Sequence, residues 1–499
     1  MQQPFMPTWR WRVTAIFAVA GFAALYCLRL GYPFADPDLF GYLAFARLWD
    51  QTGVFPRRDV FAYTPVKPLW VYHEWLTGVL YYAVVKAAGF VGLKALKLAL
   101  GLGTAAAVYG ASRLRRASVL ASLVCLFLVS PVFSFGFASL RAQALTNCCF
   151  AVLLGLLEGS RVRGRPWLLA LAPPLFLFWG NAHGGFVVGL CLLGLYALAG
   201  WREPRRGLPY VLTGVVSLAA TAVNPYGLDY WVYLAKALAM PRPDIDEWLS
   251  VARALALGHQ TANTYAFLLT VFVALLFFRR RNESDAAPLL VLASTAAMGL
   301  WHLRHQVFFF LAVAVYLPWH LDCFWARLGQ RRPDVAGRWR RLAGPGLPLL
   351  AVAMSAYFGA ACLEDGNLLA LGPARASDGN LLTAPYQPVE AVASMREQGL
   401  SGKVLTEFEW GEYLAWELSP SVTVAFDGRY ETVYQDDFSK EFFALLQSED
   451  GIARFLAKYP PDYVLARSYM PLDHALGRLD GWVELRRDLG SVLYGRGSR

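Results

Sequence analysis

The sequence predicts a mainly α-helical, polytopic membrane protein of about eleven transmembrane helices, with a small soluble α/β domain at its C-terminus. Three observations predict it. Of 499 residues, 57% are hydrophobic and only 16% charged, whereas a soluble globule is usually near a quarter charged. The deficit is concentrated in repeated apolar runs of about 17 to 22 residues, long enough to cross a bilayer as helices. The charge is also split along the chain: up to Cys362 there are 33 Lys/Arg and 15 Asp/Glu, and beyond it 13 and 21.

A basic membrane portion and an acidic tail argue against nucleic acid as a partner, because no soluble basic face exists to neutralise phosphates. Positive charge in loops between spans is an orientation signal instead. The seven cysteines lie in or beside apolar runs without metal-ligand spacing, so neither a zinc site nor a disulfide framework is expected. The first apolar run, Val13–Leu30, is too long for a signal peptide and lacks a small-residue cleavage site; it reads as a retained first helix.

Basic clusters occur at Arg10–Arg12, Arg113–Arg116, Arg161–Arg165, Arg202–Arg206, Arg279–Arg281 and Arg327–Arg341. If all are cytoplasmic, neighbouring clusters are separated by an even number of spans. Parity then requires the stretch from Trp75 to Tyr109 to hold one interfacial helix, Trp75–Phe90, and one span, Val91–Ala111, with Lys94 and Lys97 snorkelling to the outer surface. The remaining spans are Leu120–Phe137, Leu145–Leu157, Trp167–Trp179, Phe186–Leu198, Val211–Val223, Tyr265–Phe278, Leu289–Trp301, Val307–Leu317 and Leu347–Cys362. This places the N-terminus inside and the C-terminus outside. The expected division is a membrane domain over 1–363, with its first outer loop at 31–74, and a soluble extracytoplasmic domain over 364–499.

The same assignment sorts the polar motifs. The outer side receives Asp36-Pro37-Asp38, His73-Glu74, Arg141, the Asn181–Gly185 turn with His183, Asn224-Pro225-Tyr226-Gly227, and His302-Leu303-Arg304-His305. The inner side receives short basic turns. In the first outer loop, Leu39–Asp50 reads as a helix lying in the interface, with Leu39, Tyr42, Leu43, Ala46 and Trp49 on one face. A second outer loop, 228–261, carries Asp244, Asp246 and Glu247 among prolines. The tail reads as strands at Val404–Phe408, Val422–Phe426 and Tyr463–Ala466, helices at Gly411–Leu418, Phe438–Gln447 and Ile452–Lys458, and a hairpin near Trp482–Tyr494. Alternation of strands and helices favours a partly parallel sheet.

Asp36 and Asp38 are the first candidates for chemistry. They could hold a divalent cation, Mg or Mn, through oxygen ligands, or one could act as a general base. The plainer alternative is a turn in which Asp38 caps the following helix. His183, His302, His305, Arg304 and Arg141 on one membrane face suit a phosphate or pyrophosphate, since arginine offers a forked donor pattern. Asp427-Gly428-Arg429 reads as a structural turn, and Glu409-Trp410-Gly411 with Tyr413 as a docking surface or a sugar platform.

The arrangement resembles the GT-C superfamily of polyprenyl-phosphate-sugar-dependent glycosyltransferases: an N-in first span, a long outer loop opening with an acidic motif, about eleven spans and a soluble outer domain. More narrowly it resembles a group of bacterial membrane proteins sharing Asp36–Leu39, Trp70 with His73–Leu76, Asn181–Phe186, Asn224–Gly227, Trp410–Leu414 and Asp427–Arg429. The resemblance implies an inverting transferase moving a hexosyl or pentosyl group from a polyprenyl-phosphate donor to a glycan, lipid or protein acceptor, on the outer face of the bacterial cytoplasmic membrane. It implies a base or metal role for Asp36 or Asp38; the residue types themselves suggest donor-phosphate contacts from Arg141, His302, Arg304 and His305, and supporting contacts from His73, Glu74 and His183. The His-Pro-Pro motif of protein mannosyltransferases and the Trp-Trp-Asp motif of oligosaccharyltransferases are absent. Rival functions are a surface-glycan polymerase or ligase, a lipid-linked sugar transporter, which would place charges near mid-membrane, and a non-catalytic scaffold.

Overall fold

The computed structural model describes every residue except 1–7, 136, 138, 241, 243–244, 260, 279–285, 377–385, 446–447 and 498–499. The basic cluster Arg279–Arg281 and Asp244 lie outside the described residues. The chain is mainly helical and forms two compact units. One comprises Met1–Pro33, Lys94–Pro225 and Ala239–Ala370; the other comprises Phe34–Leu93, Tyr226–Leu238 and Leu371–Arg499. The first long loop, expected to belong with the membrane helices, thus shares a unit with the C-terminal segment.

In the first unit, helices stand where hydropathy places spans: Thr8–Arg29, Val119–Phe135, Gln143–Arg163, Ala172–Ala182, Phe186–Ala199, Pro204–Thr221, Thr261–Phe278, Ala286–Trp301, Gln306–Arg331 and Pro333–Glu364. Five helices among the described residues are long and apolar enough to cross a membrane, and four shorter apolar helices accompany them. Burial follows the logic of a lipid solvent. Gln306–Pro318 is buried without interruption, as expected of a helix apolar on every side. Large apolar side chains such as Val211, Val215, Leu269, Phe272 and Leu275 face outward, an arrangement that suits a hydrocarbon surround.

Helix Trp75–Leu114 is broken at Gly89, whose φ of 63° and ψ of −165° lie outside the helical region. That backbone is readily open only to glycine, and it adjoins the division that charge parity requires between Phe90 and Val91. Lys94 and Lys97 do not snorkel. Both are buried. Lys94 Nζ donates to the carbonyls of Gly31 and Tyr32 at 2.8 Å each, and Lys97 Nζ donates to Tyr32 O at 3.0 Å. They satisfy carbonyls just beyond the end of the first helix, where partial negative charge collects.

The second unit is built on a five-stranded sheet of order β2-β1-β3-β5-β4, with β1 Gly402–Thr406, β2 Val422–Val424, β3 Tyr463–Arg467, β4 Trp482–Arg487 and β5 Ser491–Arg496. β1 pairs parallel to β2 and β3, while β5 runs antiparallel to β3 and β4. The sheet is therefore partly parallel, and helix Gly411–Leu418 supplies the β1–β2 crossover. The first long loop extends the β2 edge: Val424 N donates to Phe61 O (2.8 Å) and Tyr63 N to Val424 O (3.1 Å). Farther along, Lys67 N donates to Val433 O (2.7 Å), and the Thr64 hydroxyl donates to Ala425 O (2.6 Å). An exposed sheet edge is a liability, and here the loop covers it.

Helix Pro37–Thr52 differs from the expected interfacial helix. Leu39 through Ala46 are buried consecutively, so protein surrounds this stretch on all sides, while Asp50–Thr52 are exposed. Gly41, Ala44 and Ala46 make this possible, because small side chains let neighbours close on faces that look polar or empty in the sequence.

A buried ion triad ties loop to sheet. Arg429 donates to Asp427 through Nε (3.0 and 3.1 Å) and Nη2 (2.6 Å), and through Nη1 to Asp59. All three side chains are at most 1% exposed. The guanidinium also lies against the rings of Phe61 and Trp70, at 5.0 and 5.1 Å. Removing one member of such a set leaves buried charge unpaired. Arg429→Ala should therefore destabilise the second unit by about 3–5 kcal/mol, read as loss of folded protein in denaturant titration of the detergent-solubilised chain. Arg429→Lys should restore little of it, since an ammonium cannot form the fork.

Candidate functional site

The acidic motif divides its labour. Asp36, with φ −72° and ψ 144°, is the N-cap of helix Pro37–Thr52, and its Oδ1 accepts the Asp38 amide at 3.1 Å. Pro37 occupies the first helical position, where its missing N–H is harmless. The cap is thus Asp36 and not Asp38, as the plain reading had it. Asp38 stands in the first turn, where the helix dipole favours negative charge.

Asp38 lies against the Asp-Gly-Arg turn: a Cβ on Gly428 would stand 3.2 Å from Asp38 Oδ1 and 3.3 Å from Glu412 Cδ. A Cβ on Gly41 would fall 2.4 Å from Glu412 Oε1. Two glycines therefore make room for one carboxyl group, that of Glu412, delivered by the helix following Trp410. Its Oε2 has no hydrogen-bond partner among the described residues. Burial, and then the neighbouring charges of Asp38 and Asp427, push the Glu412 carboxyl well above its ordinary range, while Arg429 opposes them. Burial beside Asp38 therefore favours the protonated form of Glu412. The motifs Asp36–Leu39, Trp410–Leu414 and Asp427–Arg429, far apart in sequence, meet here within one unit.

The first unit holds a second cluster. Glu247 sits between two guanidinium groups, its Oε2 3.1 Å from Arg141 Nη1 and its Oε1 3.1 Å from Arg304 Nη1. Burial raises the Glu247 carboxyl, but Arg304 and Arg141 outweigh it, so the group stays ionised below the usual range. The indole of Trp248 packs between Arg242 (4.4 Å) and Arg304 (4.5 Å). His302 Nδ1 is 2.6 Å from Trp248 O, and the His302 and His305 rings stand 5.5 Å apart. Arg141, His302, Arg304 and His305 thus come together around Glu247 and Trp248. Neither of these two stood among the expected site residues; acidic and aromatic residues amid prolines were their only signal.

The other candidates serve local structure. His183 Nδ1 accepts the Gly185 amide (2.9 Å) and lies 2.8 Å from the Thr146 hydroxyl, which accepts from Trp179 Nε1 (2.7 Å). This organises the Asn181–Gly185 turn. His73 Nδ1 is 3.1 Å from the Tyr233 hydroxyl, and its Nε2 is 3.6 Å from Glu74 Oε1. The Tyr226 hydroxyl of Asn-Pro-Tyr-Gly accepts the Tyr72 amide at 3.0 Å, fixing the segment that carries this pair.

Asp36 is engaged by the cap and Asp427 by Arg429. Among the described residues no group of three or more His, Cys, Asp or Glu side chains is arranged to hold an ion.

No family model and no curated protein matches the sequence. Solved structures do. The chain is similar to an Archaeoglobus fulgidus oligosaccharyltransferase, AglB, in complex with an inhibitory peptide and a dolichol-phosphate, at 13% identity and a TM-score of 0.57, covering 98% of this chain and 74% of that one. It is similar to ArnT from Cupriavidus metallidurans bound to undecaprenyl phosphate, at 14% identity and a TM-score of 0.54, covering 98% and 99%. A further Archaeoglobus fulgidus oligosaccharyltransferase structure, in complex with Zn and sulfate, matches at 14% identity and a TM-score of 0.50, covering 96% and 73%. Over nearly its whole length, the chain shares the fold of these solved structures.

Proposed function

We propose that this protein is an inverting glycosyltransferase that moves a hexosyl or pentosyl group from a polyprenyl-phosphate donor to an acceptor on the outer face of the bacterial cytoplasmic membrane. In this reading about eleven spans, N-terminus inside, carry the chain across, and the second unit is extracytoplasmic. Asp38 is the base. As the acceptor heteroatom attacks the anomeric carbon, Asp38 takes its proton, the bond from that carbon to the phosphate oxygen breaks, and the electron pair leaves with the lipid phosphate. Configuration at the anomeric carbon inverts. Arg141 and Arg304 offset the charge that grows on the departing phosphate, and His302 orders the Trp248 segment between them. Burial disfavours charge on Glu412, so Asp38 is the carboxylate beside it that is suited to take the acceptor's proton. His73, Glu74 and His183 support the surrounding loops. No step passes through a metal.

The observation that carries the reading is the division within Asp36-Pro37-Asp38: one carboxylate is the helix cap, and the other adjoins the buried Glu412. It separates the two aspartates experimentally. With a labelled lipid-linked sugar in membranes, Asp38→Asn should lower transfer by about a hundredfold or more. Asp36→Asn should remain within a few-fold of the parent, because asparagine caps as well as aspartate. Full activity in both variants would sink the assignment.

Glu412 predicts a pH dependence of stability. Above about pH 4.3 the unfolded chain releases this proton while the folded chain keeps it, so stability falls as pH rises toward the folded value. Glu412→Gln cannot ionise. In thermal unfolding it should match the parent near pH 5 and exceed it as pH rises above that.

A further inference from the structure

Two carboxylates of the first unit sit between arginines, and they differ in a way that suggests different work. Glu158 is 0% exposed and accepts from Arg115 Nη1 (2.6 Å), from Arg161 Nε (3.0 Å) and Nη2 (2.7 Å), and from the Tyr196 hydroxyl. Short, multiple and sealed from solvent, these bonds make a permanent tie between helices. Glu247 is 29% exposed and meets each of its arginines at a longer 3.1 Å, one oxygen to each. The partial exposure leaves an external anion a way to this pair, and each contact is a single pairing of one oxygen with one guanidinium.

A carboxylate that offers one oxygen to each of two guanidinium groups copies what a phosphate would offer the same groups. The backbone beside it is held independently. Trp248 is clamped between Arg242 and Arg304 through its ring, and by His302 through its carbonyl. Glu247 can therefore rotate out about its own side-chain bonds while the turn Asp246–Trp248 stays in place.

We propose that Glu247 is a built-in competitor for the phosphate seat between Arg141 and Arg304: it fills the seat when no lipid phosphate is bound, yields to the phosphate of an incoming isoprenoid donor, and returns to displace the isoprenoid phosphate left after sugar transfer. The inference rests on the reading that these arginines receive the donor phosphate. Charge gives the exchange its purpose. The donor is a phosphodiester with one negative charge, whereas the product is a monoester of about −1.5 to −2. Two bare guanidinium groups would hold the product more tightly than the donor and slow its release. A returning carboxylate lowers the barrier to that release.

The test uses the full chain in detergent, with farnesyl phosphate as the probe and calorimetric binding as the readout. Glu247→Gln should bind the probe about tenfold more tightly than the parent, while Arg141→Gln and Arg304→Gln bind about tenfold more weakly. In turnover, Glu247→Gln should lower both KM and kcat and deepen inhibition by product. If Glu247→Gln does not fold, Glu247→Asp, shorter in reach but still charged, should tighten binding in the same direction. Unchanged affinity in the Glu247 variants, with weakened arginine variants, would overturn the competitor and leave the phosphate seat standing. Arginine variants that bind like the parent would overturn the seat itself. Inorganic phosphate should bind at least about tenfold more weakly than farnesyl phosphate; equal binding would overturn a lipid ester as the occupant.

Discussion

Arg429 is the charge on which the second unit depends. A guanidinium with almost no contact with water is tolerable only if anions surround it, and Asp427 and Asp59 meet that need from the sheet and from the first long loop. The rest follows from this requirement. The loop must return to the β2 edge to deliver Asp59. Gly428 must lack a side chain so that Asp38 and Glu412 can approach the turn. Phe61 and Trp70 must flank the guanidinium to keep solvent away. The aspartate assigned the chemistry thus borrows its position from an ion set that does no chemistry.

The helices were legible in the sequence because the bilayer imposes length and apolarity on them. The break at Gly89 falls beside the point where charge parity suggested dividing Trp75–Tyr109 into two segments. In the tail, the β1–β2 crossover helix has the bounds that its sequence suggests, Gly411–Leu418. What escaped was whatever depends on a partner remote in sequence. Lys94 and Lys97 look like snorkelling lysines, since nothing nearby announces the carbonyls of Gly31 and Tyr32. The short helices Leu228–Ala239 and Val251–Leu257 sit in a stretch that reads as loop.

The candidate site was legible in part for the same reason. Residue types at loop ends picked out Asp36, Asp38, Arg141, His302, Arg304 and His305, but not the partners that give them their roles. Glu412 reads as a solvated position on a short helix, and only the fold shows it enclosed by Gly41 and Gly428. Asp36 and Asp38 are indistinguishable as a dipeptide pattern; the helix cap tells them apart. Glu247 is an ordinary acidic residue until two arginines are seen to converge on it.

The lysines at 94 and 97 also bear on how the chain is made. During synthesis the first helix enters the bilayer with the Gly31 and Tyr32 carbonyls unsatisfied, and the segment carrying Lys94 arrives only after some sixty further residues have been translated. Neither partner is comfortable in lipid alone: an isolated ammonium resists insertion, and bare carbonyls favour the water side. Together they satisfy each other's hydrogen bonds, which lowers the cost of burying both. The two segments are therefore expected to partition from the insertion machinery as a pair, with the long loop between them already committed to one side of the membrane.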